Sequence, residues 1–343
     1  MTDNNAEPGI RVEQLRATII TALPLVLPLV VPGLAWLHTL VPMVVFYRLV
    51  VSGAADGSRT GSRIVTQALL LAALAALLSG SYSLFFLGFI MLPLGYVLAW
   101  CHQKGDGLSW TGLLGFGYLV LLWLAIGIYA QTGDAPGPVD LVRDSLEQSL
   151  STALEEAPDG GIDLPPPGNR DEQVVPPSQG RLSEEQRRQL SAAFDALRDF
   201  VNRAWPALFA ISFIAMVWLN MLGGHWLLRR SAPGLSKWPE FKEWRLPDHF
   251  VAVAALATVL LFLRMEPVVT LGINGALILG MLYLMQGLAV MATLLAHWNI
   301  APLLRAIAYA LVLLQIYGMI LLILLGLAEV KINFRRRLQE PGK

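Results

Sequence analysis

The chain reads as an all-α polytopic transmembrane helical bundle. Three observations predict this. Nine long apolar stretches follow one another, and none carries an Asp, Glu, Lys or Arg near its middle. Hydrophobic residues make up 55% of the chain and charged residues only 15%, against about 25% charged in a typical soluble domain; the mean hydropathy is +0.57. The charges sit between the stretches, with Lys and Arg on alternate loops. Each stretch has, or nearly has, the roughly 20 residues that a helix needs to cross a hydrocarbon core of about 30 Å.

The predicted spans are 17–33, 35–50, 64–79, 82–101, 109–131, 204–228, 249–264, 270–296 and 303–328. Residues 1–16 are polar, with Arg11 and Arg16 just before the first apolar run. That run contains Pro24, Pro28 and Pro32 and no small-residue cleavage site, so it reads as a retained first span. It forms a tight pair with the second span across Pro32-Gly33. The third and fourth spans turn at Ser79-Gly80-Ser81. The lone thiol, Cys101, ends the fourth; it can form no internal disulfide and reads as an interfacial residue.

Loop charges set the orientation. Arg48, Arg59 and Arg63 flank the loop after the second span, His102 and Lys104 follow the fourth, and Arg229, Arg230, Lys237, Lys242 and Arg245 follow the sixth. These loops share one side, expected to be the cytoplasmic side of a bacterial inner membrane. Segment 132–203 then lies outside; it carries twice as many Asp and Glu as Lys and Arg. Nine crossings would also put the C-terminus outside, against its Lys331, Arg335, Arg336 and Arg337. About eight crossings and an inside C-terminus resolve the conflict. The stretch that fails to cross is either the short seventh or the ninth, which could fold back near Gln315–Gly318.

The chain divides accordingly into N-terminal transmembrane helices (1–131), an acidic extracytoplasmic loop (132–203), and C-terminal transmembrane helices with a basic tail (204–343). In the loop, Val142, Leu146, Leu150 and Leu154 mark one amphipathic helix, and Leu190, Phe194, Leu197 and Val201 a second, with Ser183 and Gln186 as a capping box. Between them, residues 158–181 hold Gly160-Gly161, Pro165-Pro166-Pro167 and Pro176-Pro177, a composition that cannot bury a core and predicts partial disorder. The two helices form a hairpin that extends the spans, or an arm that takes up a partner helix.

Charge-free spans argue against proton relays and voltage sensing, which place ionisable groups at membrane depth. The net charge is zero, which gives no field for nucleic acid. The chain has no GxxxxGK[ST] phosphate loop and no HExxH, and the histidines at 38, 102, 225, 249 and 297 are scattered. We therefore expect a non-enzyme without a catalytic residue, metal or cofactor.

Three positive signals remain. Ala68, Ala72, Ala76 and Gly80 form one four-residue stripe and Gly272, Ala276 and Gly280 another, the spacing that lets helix backbones approach closely in lipid. Asn220, Asn274 and Gln286 are amides within spans; with Tyr283 as a wall they are a candidate neutral pocket, or else interhelical hydrogen bonds. Finally, Trp238, Phe241, Trp244 and Arg245 read as an interfacial elbow at headgroup level, alternatively a docking site.

Several of these residues carry a resemblance. Phe241-x-x-Trp244-x-Leu246-Pro247, Gln286-Gly287-Leu288-Ala289, Leu303-Leu304-Arg305, Gly326-Leu327-Ala328-Glu329-Val330 and Phe334-Arg335-Arg336-Arg337 resemble the signature of YybS-like proteins, the bacterial domain of unknown function 2232. Val41-Pro42 through Tyr47-Arg48, and Gly95-Tyr96, fit the same pattern. The resemblance implies a distant relation to the S components of energy-coupling-factor transporters. Those are helical bundles that bind vitamin-like molecules or metal ions and work with a membrane protein and ATPases. Here Pro24, Pro28 and Pro32 interrupt the small-residue face that S components often use in their first helix, and spans are added at the C-terminus. Two functions follow as expectations. One is a small-molecule binding or transport component in the bilayer, with a membrane-protein partner. The other is a scaffold recruiting proteins through 132–203 or its basic face.

Overall fold

The computed structural model describes residues 8–56, 58–131, 144–145, 148, 184–263 and 265–339. The stripe Val142, Leu146, Leu150 and Leu154, the Pro/Gly-rich middle and Ser183 lie outside the described residues. Among the described residues every regular element is helical: α1 (Pro8–Val30), a 3-10 segment (Pro32–Leu40), α2 (Val41–Asp56), α3 (Ser58–Ser79), α4 (Tyr82–Lys104), α5 (Leu108–Gln131), α6 (Glu184–Ser231), α7 (Phe250–Leu260), α8 (Glu266–His297), α9 (Pro302–Leu314), α10 (Ile316–Ile332) and α11 (Phe334–Gln339), with single 3-10 turns at Pro233–Leu235 and Phe241–Glu243. Among the described residues, seven helical segments are long and apolar enough to cross a membrane, or eight if the bent pair α9–α10 counts as one.

By packing, the chain forms two units: Met1–Val120 with Ala207–Lys343, and Leu121–Pro206. In the smaller unit, Trp123 and Trp205 pack with ring centroids 5.6 Å apart. The second predicted amphipathic helix of 132–203 is the start of α6, which runs without a break into the sixth span.

In the larger unit, α3 packs on α1 and α2, and α2 on α4. Ala68, Ala72 and Ala76 are the buried residues expected on α3. Gly80 does not continue their stripe. Its φ is +71° and nothing lies within 4 Å of its Cβ position, so it serves the turn into α4. Pro24 and Pro28 are accommodated inside α1, and the break falls at Pro32, where the second span starts as a 3-10 segment. Pro42 follows at the join to α2, where Asn220 of α6 supplies what the broken ladder lacks. Its Oδ1 accepts from the Met43 N–H at 2.8 Å, and its Nδ2 donates to the Thr39 and Met216 carbonyls, each at 2.8 Å.

The C-terminal half explains the charge conflict. Gly275 faces Ala257 and Gly272 faces Leu260, so α7 and α8 run antiparallel. With only 11 residues, α7 is too short to span the core alone. The connector before it runs alongside α8: the Leu246 N–H meets Gln286, and the Lys242 carbonyl meets Thr293 one turn from the end of α8. Gly280 faces Ile323 and Tyr283 faces Gly326, so α10 runs parallel to α8. Parallel neighbours joined by α9 require a reversal. The axes of α9 and α10 meet at 103°, with Gln315 extended between them (φ −104°, ψ 127°). A Cβ at Gly318 would collide with the Val312 carbonyl, so glycine is what permits the bend. The ninth apolar stretch thus leaves from the His297 end of α8 and comes back to it: Arg335 and Thr293 share the Lys242 carbonyl.

Candidate functional site: a charged cleft at the end of the bundle

The site forms where α8, α10 and the 237–248 connector converge. Gln286 is fully buried at their meeting point. Its Oε1 accepts from Leu246 N–H at 3.0 Å and its Nε2 donates to the Gly326 carbonyl at 2.9 Å, so one amide ties an extended segment to a helix. Beside it the two helices touch backbone to backbone. A Cβ at Gly287 would overlap the Leu322 carbonyl, and one at Gly326 the Tyr283 carbonyl. The space that Gly287 opens beside the amide is filled by α10.

One turn beyond Gly326, Glu329 is buried. A charge there needs a partner, and α11 provides one because Asn333 adopts the left-handed conformation (φ 50°) and turns the chain back. Arg335 Nε donates to Glu329 Oε1 at 2.8 Å, and its Nη1 donates to the Lys242 and Trp244 carbonyls, each at 2.9 Å. Those carbonyls belong to the connector, Lys242 within its 3-10 turn and Trp244 in the extended residue that ends the turn. Two atoms of this pair stay unpartnered although buried: Glu329 Oε2 and Arg335 Nη2. Both residues line a cleft of about 340 Å³, together with Lys242, Arg245, Thr293 and Arg336. Lys242 also pairs with Glu240 at 2.6 Å and Arg245 with Asp248 at 3.3 Å. Hydrogen bonds from Lys242 and Arg229 hold the Glu240 carboxyl below the usual glutamate range.

The connector itself is folded into the protein. Trp238 and Trp244 are buried, where a headgroup position was expected. Each indole finds its hydrogen-bond partner internally, Trp238 Nε1 on the Asp106 carbonyl at 3.1 Å and Trp244 Nε1 on Ser109 Oγ at 3.2 Å, so neither needs the wet interface. Trp238 stacks on Phe46 at 5.1 Å and meets His102 edge-on at 4.9 Å; Trp244 meets Trp218 edge-on at 4.8 Å. His102 Nε2 accepts the Lys237 N–H at 3.2 Å. Cys101, expected at the interface, is likewise buried.

The four residues proposed as one polar pocket do not share one. Asn220 serves the α2 join. Asn274 accepts from the Ala207 N–H beside Pro206 at 2.8 Å and donates to Thr270. Only Gln286 and Tyr283 stand near the charged cleft's elements, and the buried Tyr283 hydroxyl has no hydrogen-bond partner. Of the second small-residue stripe, Gly272 packs tightly on α7, whereas Gly280 has its nearest neighbour, Ile323, at an ordinary 3.8 Å; Ala276 is half-buried. The close α8–α10 crossing uses Gly287 and Gly326 instead. Sequence reasoning did not select Glu329 or Arg335 as site residues. Glu329 stands one residue past the predicted end of the ninth span and reads there as part of a basic tail; the available signal was an acidic residue six positions before an Arg run.

The family described as Predicted membrane protein (DUF2232) matches residues 19–330. This chain belongs to that family. The DUF2232 match includes Gln286, Gly287, Gly326 and Glu329 and stops before Arg335. Comparison with curated proteins and with solved structures finds no match.

Proposed function

We propose that this DUF2232 protein is a non-enzymatic binding or transport component for a small molecule in a bacterial inner membrane, with its site in the charged cleft. What carries the reading is the pair of non-helical stretches set against α8. Non-helical chain at 244–247 leads into the short α7, and the break at Gln315 interrupts an apolar segment. Irregular backbone within a membrane protein is tolerated where it is buried in protein or lines a cavity, and transporters build sites from such broken helices. Here the Lys242 and Trp244 carbonyls, at the start of the first stretch, fix Arg335 beside a cleft of about 340 Å³, a size suited to a small ligand. The relation to S components that the sequence resemblance implies would point the same way. Any ATP coupling then comes from partner subunits, because the chain has no phosphate loop. In this reading the basic connector and tail face the cytoplasm and 132–203 the outside.

A scaffold role is the second reading. It is favoured by the amides: Asn220, Asn274 and Gln286 all spend their hydrogen bonds on neighbouring backbone, which leaves no mid-membrane pocket built from them. Native mass spectrometry of protein extracted from its own membrane separates the two. Binding predicts a retained small molecule whose occupancy falls in Arg245→Gln and in Arg336→Gln. A co-purifying protein with no small molecule would overturn the binding reading.

A further inference from the structure

Resting on that binding reading, the geometry points to the chemistry of the ligand: we propose that the cleft takes a phosphate group carrying or adjoining a hydroxyl. Arg335 is 9% exposed and fully oriented, with Nε on Glu329 and Nη1 on two carbonyls. Its Nη2 is buried without an acceptor. Guanidinium is a donor only and does not lose its charge in proteins, so this atom calls for an anionic or strongly accepting oxygen. Glu329 Oε2, also buried and unpartnered, calls for a donor. A single ligand that satisfies both presents a phosphate oxygen to Arg335 and an O–H to Glu329.

The rest of the cleft agrees. Four cations, Lys242, Arg245, Arg335 and Arg336, line it with two carboxylates, Glu243 and Glu329, while Glu240 and Asp248 pair with Lys242 and Arg245. Arg245 and Lys242 are more than a third exposed and can swing onto a phosphate from their present partners. Thr293 lines the same wall, within the last two turns of α8. Basic clefts between helices at a bundle end suit phosphate headgroups, and Arg forks suit phosphate oxygens. The same chemistry is offered by a lipid headgroup with a free hydroxyl, such as phosphatidylglycerol, and by soluble hydrogenphosphate or a small phosphate ester.

The test uses the full chain purified in a neutral detergent. Two probes are titrated while thermal unfolding and native mass are followed: inorganic phosphate, and mixed micelles of short-chain phosphatidylglycerol against phosphatidylcholine. The variant Lys242→Gln/Arg245→Gln keeps the buried pair intact, so it separates binding from folding. The lipid source predicts that phosphatidylglycerol is retained over phosphatidylcholine by about tenfold in the wild type and that most of this preference is lost in the variant. The soluble source predicts a rise in unfolding temperature with inorganic phosphate, absent with chloride at equal ionic strength, and smaller in the variant. If neither probe binds the wild type in preference to its control, or if the variant binds both as well as the wild type, the phosphate assignment is overturned. A different small molecule retained under those conditions would leave the binding reading standing; no retained molecule at all would sink both.

Discussion

Gly326→Leu is expected to undock α10 from α8 and to produce the largest loss of stability of any single change in the C-terminal half. At Gly326 the partner is not a side chain that can rotate away. An added Cβ would overlap the Tyr283 carbonyl and lie 2.9 Å from the Gly287 nitrogen. Overpacking a core against movable side chains costs about 1–3 kcal/mol, and fixed backbone puts this site at or above the top of that range. The same displacement would break the Gln286 bond to the Gly326 carbonyl and so release the connector at Leu246. Gly280→Ala is the matched control, because its added methyl meets Ile323 at 3.8 Å; a change within about 0.5 kcal/mol is expected there. Thermal unfolding in detergent with gel filtration reads both. A Gly326→Leu protein that melts with the wild type would mean that the two helices do not cross here.

Arg335→Met is expected to cost nearly as much by a different route. It strands Glu329, which is 1% exposed, and it frees the Lys242 and Trp244 carbonyls. Removing one partner of a buried ion pair typically costs about 3–5 kcal/mol. Glu329→Gln should be milder, since an amide oxygen still accepts from Nε and the guanidinium keeps both carbonyls. The double variant Glu329→Leu/Arg335→Met tests how the cost divides. It removes the stranded charge but leaves two carbonyls open, each worth about 1–3 kcal/mol if buried. It should therefore melt above Arg335→Met and below the wild type. If Arg335→Met and Glu329→Gln melt alike, the carbonyl bonds contribute nothing and the pair is only electrostatic.

These two sites show what the sequence displays and what it hides. Apolar runs of about 20 residues are a local signal, so the helical class and most spans were legible. The basic tail also showed that nine crossings do not fit, but it left the short seventh stretch and a fold-back near Gln315–Gly318 as alternatives. Ala68, Ala72 and Ala76 were legible because a small-residue stripe is written on one helix. The crossing of Gly287 with Gly326 was not, because its two glycines lie 39 residues apart on two helices and each looks isolated. The burial of the connector's tryptophans was not legible for a related reason. Trp238 and Trp244 carry the composition of an interfacial belt, and only the partners Asp106 and Ser109, supplied by the turn after α4 and the start of α5, make burial favourable. Likewise Asn220 and Asn274 looked like members of one pocket until the backbone gaps they fill, beside Pro42 and Pro206, were in view. Proline disturbs the helix ladder at one place in the sequence, and the amide that accepts the neighbouring N–H, of Met43 or of Ala207, comes from another.

The packing of α10 parallel to α8 brings the ninth apolar stretch back to the end of α8 it left, while the connector and the short α7 run antiparallel to α8. Site-specific thiol labelling in oriented membrane vesicles tests it most directly. Cys101, which is buried, is replaced by alanine, and single cysteines are placed at Glu243, Met265 and Arg336, all exposed positions. Glu243→Cys and Arg336→Cys should react with a membrane-impermeant reagent from one side, and Met265→Cys, in the turn between α7 and α8, only from the other. Labelling of Arg336→Cys from the Met265 side would contradict the account and make the last apolar stretch a full crossing.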